Sequence, residues 1–133
     1  MYKFLKKFTI VLFIWVVFFS LIDKLKANDI YISQVGDNVD LDITQDGQNN
    51  QIEGLYGSGN AVINGANSTA SFNQTGNTNE IRVWSDSSSG KIMTNNQTGN
   101  SNISLVDNHG ADNTITTNVT GNNNYNFSEI GNG

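Results

Sequence analysis

The sequence predicts an all-β fold: a β-solenoid of stacked strand-turn-strand rungs, about 22–23 residues per rung, with cross-β spacing like an amyloid. Three observations predict it. The phrase Gln-x-Gly-x-x-Asn occurs at Gln45, Gly47 and Asn50, again at Gln74, Gly76 and Asn79, and again at Gln97, Gly99 and Asn102. Glycines keep a step of 11 residues, from Gly36 to Gly47, from Gly65 to Gly76, and from Gly99 through Gly110 to Gly121. Between the glycines lie short runs that alternate apolar and polar, the period of a strand with one buried face.

The first 27 residues are a different polymer from the rest. Lys3, Lys6 and Lys7 precede an uncharged apolar run from Phe8 to Ile22, and Ala27 offers a small residue for cleavage. That layout predicts a signal peptide over 1–27 and a repeat domain over 28–133. Uncleaved, the same run is a membrane tether. Beyond it the chain keeps only Arg82 and Lys91 against eleven acidic residues. So acidic a domain lacks the basic stripe that nucleic acid requires. There is no Cys and no Pro. Cohesion must come without disulfides, and nothing interrupts a ladder of strands.

The strands are expected in order at Ile30-Tyr31-Ile32, Leu41-Asp42-Ile43, Ala61-Val62-Ile63, Ala70-Ser71-Phe72, Ile81-Arg82-Val83, Ile103-Ser104-Leu105 and Tyr125-Asn126-Phe127. Each leads toward Gly with Asn nearby, residues that tolerate the left-handed backbone of tight turns. Two 11-residue units make one rung, and four or five rungs fit the domain. The segment 54–65 is Gly-rich and off period, and 85–90 is a polar insertion expected to bulge as a loop. Identical positions on successive rungs stack. The amides of Gln34, Gln45, Gln74 and Gln97, in phase with the inward apolar residues, are therefore expected to hydrogen-bond along the stack. Weaker echoes of the phrase bring Gly36, Gly110, Asn113, Gly121 and Asn124 into the same set of self-assembly positions.

On these residues the chain resembles the curlin repeat family, the subunits of curli-type functional amyloid. Ser68, Gln74, Gly76 and Asn79, followed by Ile81, are the best match to that repeat; Gln45, Gly47, Asn50 and Ile52 match the same core. Gln97, Gly99 and Asn102 match with Ser104 at the apolar place, and the family's second Gln is absent. The resemblance implies a secreted structural protein, not an enzyme, that assembles with itself into extracellular fibres for adhesion and biofilm matrix. Its implied partners are copies of itself, a companion or nucleating subunit, and an outer-membrane export apparatus; it implies no cofactor and no small-molecule substrate.

Other sites are weaker. His109 is the only His, which is too few for a zinc set or a triad, and it reads as a surface turn residue. Asp37, Asp40, Asp42 and Asp46 cluster with oxygens that suit calcium, but the calcium-binding solenoid nonapeptide is missing; Asp40 and Asp42 read as the solvent face of a strand, and the cluster's charges as gatekeepers. Trp84, Tyr31, Tyr56 and Tyr125 do not share a repeat position, which argues against a carbohydrate stripe. The alternative function is a monomeric surface adhesin or binding module. An ice-binding version would need threonines in one register, and in the linear sequence they are not.

Overall fold

The computed structural model describes residues 27–36, 38–57, 59–65, 67–86 and 91–131. The expected signal peptide, and most of the polar insertion at 85–90, lie outside the described residues. Asp37 does too. Eleven strands follow in order: β1 (Asp29–Ile30), β2 (Ile32–Val35), β3 (Asp40–Asp46), β4 (Gln51–Glu53), β5 (Ala61–Asn64), β6 (Ser68–Thr75), β7 (Glu80–Ser85), β8 (Lys91–Thr98), β9 (Ile103–Asn108), β10 (Thr114–Thr120) and β11 (Tyr125–Ile130). Every strand pairing is parallel.

The fold is all-β, built from two parallel sheets between which the chain alternates. The first sheet stacks β1 and β2 on β4 and β5, then β7, β9 and β11; the second stacks β3, β6, β8 and β10. One strand in each sheet makes a circuit. Equivalent asparagines on successive circuits are 22 and 23 residues apart for Asn102 to Asn124 and Asn79 to Asn102. From Asn50 to Asn79 the step is 29. The off-period segment explains the difference. The chain leaves the first sheet after Glu53, which pairs with Arg82, and resumes the same line at Ala61, with Val62 opposite Trp84. The excursion is therefore an insertion into one strand and does not disturb the register of its neighbours.

The inner faces meet in a thin core. In the second sheet the inward columns run Leu41–Ala70–Met93–Ile115 and Ile43–Phe72–Asn95–Thr117. In the first they include Ile52–Ile81–Ser104 and Ala61–Val83–Val106. Ile52, Ile63, Phe72, Ile81 and Val83 are wholly buried. Of the polar members of these columns, Asn95 donates from Nδ2 to Ser104 Oγ across the interior at 2.8 Å, while its buried Oδ1 has no hydrogen-bond partner. The bonded half of that amide costs far less than the orphaned half.

The turns are where the sequence phrase acts first. Gly47, Gly76, Gly99 and Gly121 have φ between +107° and +119°, a region L side chains rarely adopt. Two residues on, Asn49, Thr78, Ser101 and Asn123 are left-handed at φ of +56° to +60°. For Thr78, a β-branched residue, that is a strained conformation. Backbone bonds between levels hold it: Thr78 N–H donates to Gln48 O at 2.8 Å and Ser101 N–H to Asn77 O at 3.0 Å. A Cβ on Gly76 would sit 2.1 Å from the carbonyl oxygen of Gly99. The turns stack so closely that only glycine fits.

Gly76→Ala is therefore expected to destabilise the fold by about 3 kcal/mol or more, since strain and backbone overlap add. Gly59→Ala is the control. Its φ of +79° is also positive, but nothing lies within 4 Å of the added Cβ. It should cost about 1 kcal/mol. Chemical denaturation followed by circular dichroism reads both, and equal losses would mean that turn stacking is not the constraint.

Candidate functional site

The phrase's asparagine is a clasp between levels. Its Oδ1 accepts the backbone N–H of the equivalent residue one circuit on: Asn28 from Asn50 at 3.0 Å, Asn50 from Asn79 at 3.0 Å, Asn79 from Asn102 at 3.1 Å and Asn102 from Asn124 at 3.1 Å. Its Nδ2 donates to the glycine carbonyl of the next circuit: Asn50 to Gly76 at 2.9 Å, Asn79 to Gly99 at 2.8 Å and Asn102 to Gly121 at 2.7 Å. Asn50, Asn79 and Asn102 are fully buried. The glycine and the asparagine three residues after it are thus two halves of one contact, made between circuits.

The glutamine forms a second column. Gln45 Nε2 donates to Gln74 Oε1 at 2.7 Å, and Gln74 Nε2 to Gln97 Oε1 at 3.1 Å. Each amide also ties the two sheets together, because Gln74 Nε2 reaches Gln51 O at 3.2 Å and Gln97 Nε2 reaches Glu80 O at 3.0 Å. The column ends at the fourth circuit, where Val119 lies opposite Gln97.

Several expected positions fall elsewhere. Gln34 does not join the glutamine ladder. It lies in the first sheet opposite Ile63 and is exposed, because the chain's 11-residue unit alternates between sheets and only every second unit stacks. For the same reason Gly36 stacks on Gly65 at the opposite turn, not on Gly47. Gly110 and Asn113 also belong to that second turn, where Asn113 Nδ2 and Gly110 N–H both donate to Asn108 Oδ1, at 3.0 and 3.2 Å. Ser68 is no ladder residue either; its hydroxyl donates to Gly65 O at 3.0 Å and closes that turn. Gly121 and Asn124 take the places expected of them. Sequence reasoning missed Asn28 as the first clasp, although it precedes Asn50 by the 22-residue step. It also missed an outer ladder, Asn73 Nδ2 to Asn96 Oδ1 at 3.1 Å and Asn96 Nδ2 to Asn118 Oδ1 at 2.9 Å. The every-23 spacing of Asn73 and Asn96 was the signal.

The aromatic residues are nearer one another than their repeat positions suggested. The excursion carries Leu55 and Tyr56 onto the outer face of the first sheet. There they line an open groove of about 560 Å³ with Arg82, Leu105, Tyr125 and Phe127. Trp84 and Tyr31 are not part of it. Under the excursion Glu53 is buried, its Oε1 3.4 Å from Arg82 Nε, which also bonds Glu80. Gln51 Nε2 donates to Glu53 Oε2 at 2.6 Å. Burial, then the hydrogen bond with Glu80, push the Glu53 carboxyl up to about 7. Burial pushes Glu80 up as well, but its bonds with Glu53 and Arg82 outweigh that and hold it below its ordinary value. His109 is exposed in its turn, Nδ1 2.9 Å from Asp86 and Nε2 2.9 Å from Asp107; the hydrogen bond with Asp86, then the charge of Asp107, raise its pKa. Among the described residues no group of three or more His, Asp or Glu converges to hold a metal ion. Comparison with protein-family models, with curated proteins and with solved structures finds no match.

Two outcomes are expected from this geometry. Gln74→Ala removes a wholly buried side chain and strands the amides of Gln45 and Gln97, so urea denaturation should show a loss of about 3 kcal/mol. The same change at the half-buried Gln45, where the ladder begins, should cost clearly less. Glu53, whose folded pKa lies above the unfolded one, contributes stability that is fully present below pH 4.5 and is lost as pH rises through about 7. Denaturation midpoints across that window should fall with pH, and Glu53→Gln should flatten the part of the fall that Glu53 causes. An unchanged slope in the variant would assign the pH dependence to His109, whose raised pKa acts in the same direction.

Proposed function

We propose that this chain is a β-solenoid and the secreted subunit of a curli-like fibre, adding head to tail through its strand edges to form extracellular matrix or adhesive material. The observation that carries the reading is the clasp. The same Asn contact recurs at four successive junctions, with its Gly half at three of them, and nothing in that contact depends on which chain supplies the next level. Among the described residues the stack ends on a step. β11 adds a fifth level to the first sheet, while β10 is the last strand of the second. The outer edge of β10 is thus the place where an incoming strand docks, and an unpaired edge is a template for addition. Repeated addition without closure makes a filament.

The side chains at that edge agree with growth. Ile115, Thr117 and Val119 point inward from β10: Ile115 continues the apolar column of Met93, Thr117 follows Asn95, and Val119 closes the glutamine column, so the edge presents no charge to an incoming strand. The acidic residues of β3, Asp40, Asp42 and Asp46, all point outward. They give that side of the stack a negative rim, which slows unproductive association without blocking the inward columns. The signal-like first 27 residues support export, and a companion subunit or nucleator and an outer-membrane export apparatus remain the partners this reading requires.

The test is assembly of the purified protein at neutral pH, followed by thioflavin fluorescence, electron microscopy and fibre diffraction. Filaments with a meridional reflection at about 4.7–4.8 Å are expected. Asn102→Ala, which breaks the clasp one level below the open edge, should slow or abolish them. A protein that stays monomeric and β-rich at high concentration would overturn the fibre reading.

A further inference from the structure

The threonines that look scattered in sequence form columns in space. On the outward face of the second sheet, Thr75, Thr98 and Thr120 stand opposite one another on β6, β8 and β10, and Thr94 stands opposite Thr116. Their spacings, 23 from Thr75 to Thr98 and 22 from Thr98 to Thr120 and from Thr94 to Thr116, are the same steps that stack the asparagines. Between these columns runs the outer asparagine ladder, Asn73–Asn96–Asn118. Thr75, Thr98, Thr116 and Thr120 are exposed. The outward positions of β6 and β10, and those of β8 from Ile92 to Thr98, carry no charged residue. Among the described residues the acidic ones lie on β3, on the first sheet and in the loops and turns.

We infer that this face binds an ordered surface of water, that of ice. The argument is geometric. Parallel strands place the threonines of a column about 4.8 Å apart across the sheet, and the two threonine columns lie four residues, about 13 Å, apart along it with the asparagine ladder between them. The repeat across the sheet is close to the shorter oxygen repeat on the faces of hexagonal ice. Threonine is stiff at χ1, so each column repeats one methyl and one hydroxyl in one orientation. The asparagine ladder spends its amide bonds along the column and leaves that part of the face rigid. A regular, uncharged, rigid array can hold waters in a lattice that a charged and irregular surface would break up.

Two other occupants fit less well. A second copy packed face to face in a dry zipper would bury the hydroxyls, and an unpaired buried hydroxyl costs free energy. A polysaccharide would want aromatic platforms, and none of the outward positions of β6, β8 or β10 is aromatic. The face lies along the flank of the stack, not at its growing edge. Ice binding and fibre growth are therefore independent, and a fibre would lengthen the array.

The experiment is slow growth of ice from a solution of the fluorescently labelled protein, with thermal hysteresis measured on the same sample. It is done first on freshly purified protein and again after any fibres form. Incorporation into the ice and a measurable hysteresis gap are expected from the fresh sample. Thr98→Lys, an exposed substitution at the centre of the array, should lose both while keeping its circular dichroism spectrum. Glu129→Lys on the first sheet should keep both. Exclusion from ice to the same degree as an ordinary soluble protein would overturn the inference. So would filaments that bundle side by side, fall apart in Thr98→Lys and show no ice affinity, a result that would give the face to a second copy. Absence of fibres alone would count against the fibre reading and leave the ice result standing.

Discussion

The rest of the structure depends on one steric and hydrogen-bonding constraint, the close approach of consecutive turns. At Gly47, Gly76 and Gly99 the space for a Cβ is already taken by the carbonyl of the next glycine, at 1.9 to 2.1 Å. That approach presents each glycine carbonyl to the amide of the asparagine one circuit below, and the clasp follows. Once the turns stack at the strand spacing, parallel pairing with matched register is the only arrangement left to the strands they join. The inward residues then fall into columns, and columns of Ile, Val, Phe and Gln make a core thin enough for a domain of this size. A protein with no Cys and little bulk replaces both disulfides and a deep core with a repeated contact. A stack built this way gains its stability from neighbours, not from any single circuit.

Much of this was legible in the sequence. The phrase and the glycine step mark the two-strand unit and, at Gln45, Gln74 and Gln97, the residues of the ladder. The glycine and asparagine were assigned to turns, which is right but incomplete, because their partners lie 19 to 26 residues away on another level. A sequence reading of turns looks for local bonds and overlooks these. Gln34 was misplaced for a related reason. Its echo of the phrase is genuine, but a unit of 11 reverses sheet at each step, so neighbouring echoes never stack. The threonines failed for a third reason. Thr78 lies in a turn and Thr117 points inward, so the full set shares no register, and only the residues joined by the 22- and 23-residue steps, Thr75 with Thr98 and Thr120 and Thr94 with Thr116, form columns.

The insertion also divides the labour between the two flanks. On the first sheet it lays Leu55 over the outer face, buries Glu53 against Arg82, and builds a groove with aromatic and acidic walls. None of that is repeated on other levels, so this flank is individual and sensitive to pH. In the second sheet the outward asparagine and threonine positions toward the C-terminal ends of β6, β8 and β10 repeat from level to level, while β3 carries the aspartates. Regularity on one flank and singularity on the other come from the same chain because an excursion can leave a strand and return to it without moving the strand's neighbours. The sheet register before and after residues 54–60 is continuous, and this continuity lets an irregular surface be added to a regular stack.

Charge distribution follows the same division and bears on how copies meet. Repulsion between strongly acidic chains is long-ranged at low salt and fades over about 10 Å at 0.1 M ionic strength. The step at the end of the stack and the threonine flank are the surfaces where like charge is sparse, while the first strand of the second sheet carries three outward aspartates. A copy approaching edge-on brings those aspartates beside threonine or asparagine columns, not beside other carboxylates, since the outward positions of β10 are Thr114, Thr116, Asn118 and Thr120. Within the second sheet the acids are confined to the outward face of β3, an arrangement that disfavours random association of copies. If copies add edge to edge as proposed, the limit on that addition is less the backbone pairing at the edge, which repeats the contact between levels, than how seldom two acidic copies meet in an orientation that avoids their charges.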